Sequence, residues 1–137
     1  ATVSGTGITP VTAAETVNAE AAPNLAITKS VSPVPVTENG TLTYTFRIQN
    51  YGSVAATNTT GVVITDTFAP VLNNLTAALN GTAWTAATDY TYNEATGTFS
   101  STAGAITVPA ATYTQDSTTG AWVVTPGEST LVITGTV

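Results

Sequence analysis

Between Thr41 and Asn50 the chain alternates with period two. Leu42, Tyr44, Phe46 and Ile48 stand on one parity, and Thr43, Thr45, Arg47 and Gln49 on the other. Successive side chains of an extended strand point to opposite faces, so this is the pattern of a strand that buries one face only. No window repeats apolar residues at helical spacing over three turns, and the alanine-rich stretch Ala13 to Ala22 has no large apolar stripe. A chain written this way has to close its core with sheets. The other apolar runs are short and separated by turn chemistry, which points to an all-β sandwich or barrel.

Leu25, Ile27, Lys29 and Val31 share one parity, and Pro33 and Pro35, which cannot donate to a ladder, end that run. Glu38-Asn39-Gly40 is a turn signal, because Asn and Gly accept positive φ. Asn50 to Ser53 turns the chain again, and Val62, Ile64, Asp66 and Phe68 then line one face before Pro70 breaks the run. Leu75–Leu79, Trp84–Ala86, Tyr90–Tyr92, Ile106–Val108, Trp122–Val124 and Ser129–Val137 read as further strands, with a turn at Pro126-Gly127. Two loops are alike: Asn93 to Gly97 leads to Phe99, and Asp116 to Gly120 leads to Trp122. Each starts with a side chain able to bond its own turn and ends on a glycine able to turn left-handed, so both are predicted hairpins with a bulge at the glycine. Tyr44, Phe46, Phe68, Trp84, Phe99 and Trp122 are assigned to the core.

The 137 residues allow one domain with an arm. Threonine is the commonest residue, and its branching at Cβ suits a pleated sheet. Lys29 and Arg47 are the only basic side chains against eight carboxylates, for a net charge of −6. That balance argues against neutralising a phosphate backbone and against an anionic membrane surface. No apolar run is long enough for a membrane helix, so membrane insertion is not expected. With no cysteine and no histidine, a disulfide framework, a thiolate metal site and the commonest general base are all missing. The carboxylates Glu15, Glu20, Glu38, Asp66, Asp89, Glu94, Asp116 and Glu128 are scattered rather than paired. No catalytic residues, metal or cofactor are expected, and the composition suits the outside of a prokaryotic cell.

Residues Ala1 to Ile8 form a β-like run, and Thr9 to Pro23 reads as an extended linker of roughly 50 Å when fully stretched. Val3-Ser4-Gly5-Thr6 echoes Ile133-Thr134-Gly135-Thr136 near the other end. The run, with Thr2, Val3, Ser4, Gly5, Thr6 and Ile8 as its candidate contacts, is therefore a candidate strand for a neighbouring subunit, and residues 24–137 are the sandwich.

The segments ITKSVSP, NGTLTYTFRIQNYGS and VVITDTF, within Asn24–Phe68, resemble the bacterial repeat domain known as domain of unknown function 11, which is close to isopeptide-forming and fimbrial immunoglobulin-like modules. The resemblance implies an immunoglobulin-like (Greek key) sandwich in secreted surface or appendage proteins, without enzymatic activity. Some relatives of this fold join a first-strand lysine to a late-strand asparagine beside an acid. Lys29 and Asp66 match the lysine and the acid in type, but Leu131 to Val137 contains no asparagine, so covalent closure is not expected. Because lone buried charges are costly, Lys29 and Asp66 on apolar parities are expected to meet as a buried ion pair. Two roles follow as expectations. One is a fibre subunit that assembles with copies of itself by N-terminal strand donation. The other is an adhesin repeat that grips a carbohydrate or a protein.

Overall fold

The computed structural model describes residues 2–12 and 21–137. Twelve strands account for its regular structure: β1 (Thr2–Gly5), β2 (Ile8–Thr12), β3 (Leu25–Ser32), β4 (Thr41–Asn50), β5 (Thr65–Thr67), β6 (Asn73–Leu79), β7 (Thr82–Ala83), β8 (Tyr90–Asn93), β9 (Thr98–Ser101), β10 (Thr112–Gln115), β11 (Trp122–Thr125) and β12 (Gly127–Thr136). A single 3-10 turn at Asn58–Thr60 is the only helical element among the described residues. The protein is all-β.

A five-stranded antiparallel sheet, in the order β3-β4-β12-β6-β7, packs on a three-stranded one, β5-β9-β8. β4 and β12 run beside each other from Gly127↔Asn50 to Thr136↔Thr41 and form the spine of the larger sheet. The alternation read in β4 is realised, because Leu42, Tyr44, Phe46 and Ile48 are buried and Arg47 is exposed. Leu131 and Ile133 of β12 continue that face; Tyr90 and Phe99 of the smaller sheet answer it, with Phe68 just after β5. Burying each of the larger apolar side chains contributes about 2 kcal/mol. Phe68 lies at the centre, with its ring centroid 4.7 Å from that of Tyr44, 6.1 Å from Phe99 and 6.2 Å from Tyr92.

Both predicted hairpins form, but the ladders on either side of their loops run in unbroken register, without the expected bulge. Gly97 and Gly120 take positive φ, and their amides donate back to Asn93 O and Asp116 O, each at 2.8 Å. Other expectations change. Pro126-Gly127 is no turn: Gly127 begins β12, and a Cβ there would stand 1.9 Å from Pro109 O. Trp84 follows β7 instead of starting a strand, and Ile106 and Val108, though buried in the core, belong to no strand, their run making only the isolated β-bridge Ala56↔Val108. Trp122 is not core. It stands on the β10–β11 hairpin, which pairs with neither sheet, and is 66% exposed.

The N-terminal run also differs from the single extended strand expected over Ala1–Ile8. β1 and β2 fold back on each other, with Thr2↔Thr12, Val3↔Val11 and Gly5↔Ile8 in register. The reason is local: Gly7 takes φ 77° in a two-residue turn, a conformation that closes a hairpin and that most residues avoid. The expected linker thus loses its first residues to β2, and its part at 13–20 lies outside the described residues.

Candidate functional site: the seam between β3 and β5

Two unpaired edges lie on the same side of the sandwich. Among the described residues β3 pairs only with β4, and β5 only with β9. β5 is three residues long, whereas β3 has eight, so the smaller sheet does not reach far enough to cover β3. Leu25, Ile27 and Val31, on the parity expected to face the core, therefore remain exposed, Ile27 by 52%. A groove of about 330 Å³ opens at one end of the seam between Leu25, Ala26 and Ile27 on one wall and residues 62–65 on the other, with Ile48 in its lining. At the other end Val31, Pro33 and Val34 face Ala69 and Pro70 around a smaller groove of about 200 Å³.

Between the two grooves stands the expected pair. Lys29 Nζ lies 2.5 Å from Asp66 Oδ2. The ammonium also lies 4.9 Å from the ring centroid of Tyr44, 5.4 Å from Phe68 and 5.7 Å from Phe46, within reach of the negative ring faces. Asp66 Oδ2 is shut off from water and has no partner but this ammonium, while Oδ1 accepts from the Thr67 amide at 2.9 Å. The pair ties one sheet to the other, as the strand parities require. The expected burial is only partial, with the side chains 41% and 21% exposed, because the open seam leaves water on the lysine side.

A residue that sequence reasoning passed over fixes the start of β3. Asn50 is fully buried at the end of β4, on the same parity as Ile48. Its Oδ1 accepts from the amides of Asn24 at 3.0 Å and Gly52 at 2.9 Å, and its Nδ2 donates to Val54 O at 2.8 Å. One side chain thus pins the residue before β3 and the turn after β4. Gly52 completes the joint, since a Cβ there would lie 2.2 Å from Ala22 O. The signal was present: an asparagine continuing a core parity has to find partners.

The second ion pair among the described residues is on the surface. Arg47 pairs with Glu128 across β4 and β12; the hydrogen bond and charge of Glu128 raise the Arg47 pKa, and those of Arg47 hold Glu128 below the usual carboxylate range. Asp116 is held low by the amides of Thr119 and Thr118, which donate to its Oδ1 at 2.9 Å and 2.7 Å. Burial raises the Tyr90 phenol. Among the described residues no three acidic side chains gather in one place, and no helix is long and apolar enough to cross a membrane.

These shifts set the pH response. A depressed carboxylate contributes stability that is present above its unfolded pKa and lost as pH falls through the folded one; a raised phenol contributes stability lost as pH climbs past its unfolded value. With no histidine, the urea midpoint is expected to be flat between about pH 6 and 9, to fall below about pH 4, and to fall again above about pH 10. Urea titrations at each pH check this, and a step near pH 6.5 would contradict it.

No family model, curated protein or solved structure matches the chain.

Proposed function

We propose that this protein is a non-enzymatic, extracellular structural subunit of a surface fibre. In this reading an immunoglobulin-like sandwich related to domain of unknown function 11 assembles head to tail with copies of itself by donating its N-terminal strand. The observation that carries the reading is that residues 2–12 are strand-forming yet belong to neither sheet of the sandwich. An isolated two-stranded hairpin is marginal in water, so the β1–β2 pairing is a form that opens at little cost when a longer edge is offered. A head-to-tail contact of this kind does not close on itself and grows a filament. The sparse charge, two basic and eight acidic side chains, keeps repulsion between subunits low.

Removal of Ala1–Thr12 is expected to abolish fibres of the purified protein in electron micrographs while leaving the urea midpoint within about 0.3 M of the parent. The fold should survive because those residues pair only with one another. Ordered fibres from the shortened chain would sink the reading.

The exposed β10–β11 hairpin favours a second reading, an adhesin repeat. Tyr113, Val124, Gln115 and Trp122 share one of its faces, and Tyr113 Oη pins its base by donating to Tyr51 O at 2.5 Å. An exposed aromatic face of this kind suits a carbohydrate or protein ligand. The shortened chain separates the two, because an adhesin would keep its ligand without residues 1–12.

A further inference from the structure

We infer that the seam between β3 and β5 is the acceptor for the N-terminal run Thr2–Thr12 of a second copy of this chain, which adds as a strand outside β3 and closes over both grooves. The inference rests on the strand-donation reading and gives it an address.

The first argument is the state of the β3 edge. Soluble proteins blunt an open edge with outward charges, prolines or bulges, since a bare ladder recruits other strands. β3 has none of these over Leu25–Ser32. Its register with β4 is unbroken, and Pro33 stands past its end. Its one charge, Lys29, is turned onto Asp66 and three rings, where it cannot repel an incoming strand. The side chains on the same parity, Leu25, Ile27 and Val31, are exposed and line grooves on either side of that pair. A strand laid beside β3 would satisfy its unpaired backbone groups and cover these side chains together.

The second argument concerns the occupant. The seam is apolar except for an ion pair already matched within it, so a guest with charged side chains would lose hydration for no partner. Ala1 through Ala14 contains no ionisable side chain. The run combines apolar Val3, Ile8 and Val11 with small Ser4, Gly5 and Gly7. It also echoes the Ile133-Thr134-Gly135-Thr136 segment of β12, where a missing side chain matters: a Cβ on Gly135 would lie 2.7 Å from Leu72 Cβ. The β10–β11 hairpin is a poorer guest, because Ala111 is tied to Gly52 O at 2.9 Å and β12 starts at Gly127, leaving it no leash. The N-terminal run reaches β3 through residues 13–24, about 40 Å of chain when extended. Among the described residues it pairs with itself rather than with its own β3, which leaves that edge open to a neighbour.

The chain has no cysteine, so paired substitutions report contacts cleanly. Val3→Cys and Ile8→Cys would each be combined with Ile27→Cys in the seam, with Thr82→Cys on the opposite edge strand β7, or with Val123→Cys on the hairpin. All three acceptor positions are exposed, so the fold tolerates them. After assembly and mild oxidation, denaturing gels are expected to show a ladder of chain multiples for at least one Ile27→Cys combination, at least tenfold more intense than with the other two acceptors. Ile27→Asp alone should abolish fibres while leaving the urea midpoint near that of the parent. A ladder that follows Thr82→Cys or Val123→Cys would overturn the seam and leave strand donation standing. A disulfide closed within a single chain, independent of dilution, would place the run on its own β3 and overturn the inference. Ladders from none of the six, with ordered fibres from the chain lacking Ala1–Thr12, would remove strand donation itself.

Discussion

Asn50→Ala is expected to cost about 3 kcal/mol of folding stability, which for a domain of this size lowers Tm by about 10 °C. The substitution removes little apolar contact. It leaves the amides of Asn24 and Gly52 and the carbonyl of Val54 without the partner each now has. An unsatisfied buried group costs about 1–3 kcal/mol, and some of the three would be rescued by water entering the space left behind. Asn50→Asp gives a sharper check. At neutral pH its carboxylate still accepts from both amides but faces the Val54 carbonyl with no proton to give. Once protonated it can donate there, so the acid is favoured in the fold and its folded pKa rises. An acid raised in the fold gains stability relative to the unfolded chain as pH falls. The deficit of Asn50→Asp against the parent should therefore shrink between about pH 7 and pH 4, while that of Asn50→Ala should not. A deficit under about 0.5 kcal/mol for Asn50→Ala would show that the joint is held by other contacts.

The joint matters because it sets where the N-terminal run leaves the sandwich. Asn24 is the last residue before β3, and its carbonyl accepts from the Tyr51 amide at 2.8 Å while its own amide is held by Asn50. The entry of the chain into β3 is thus fixed at Asn24, beside the wider groove.

What the sequence disclosed follows from where burial is two-sided. β4 lies between β3 and β12 and faces the smaller sheet, so its alternation is enforced by packing and was readable residue by residue. The Asn93–Gly97 and Asp116–Gly120 loops were readable because their geometry is local, set by one side chain and one glycine. Lys29 and Asp66 meet on the parities that the sequence shows. Their exposure was not legible, because it depends on β5 being shorter than the strand it should cover, and strand length across a sheet is a tertiary property. Trp122 failed for a related reason. Trp122-Val123-Val124 has the composition of a core strand, but nothing local tells whether a hairpin joins a sheet or projects from it. The self-pairing of the N-terminal run was legible in principle. Thr6-Gly7 is a two-residue turn signal lying within the run Ala1–Ile8.

Phe68→Ala is expected to be the most destabilising single truncation, at about 4–5 kcal/mol, a large share of the 5–15 kcal/mol that holds a typical domain together. Phe68 is 1% exposed and meets the rings of Tyr44, Tyr92 and Phe99. Its amide donates to Gly97 O at 2.9 Å, so it also fixes the backbone just after β5. Loss of the ring leaves a cavity among side chains that cannot collapse into it, because those on β4 and β9 are held by their ladders. It also takes one of the three rings from the Lys29 ammonium, at 5.4 Å. Phe68→Leu keeps most of the volume and should cost about 1–2 kcal/mol. The contrast separates packing from support of the seam. If Phe68 only fills the core, both variants should form fibres under conditions where they remain folded. If it also seats β5 against β3, Phe68→Ala should lose fibres at a temperature and urea concentration where its circular dichroism is still native, and Phe68→Leu should not. Midpoints from urea titration and micrographs of the same samples read both quantities, and a cost below about 2 kcal/mol for Phe68→Ala would show that the centre of the core lies elsewhere.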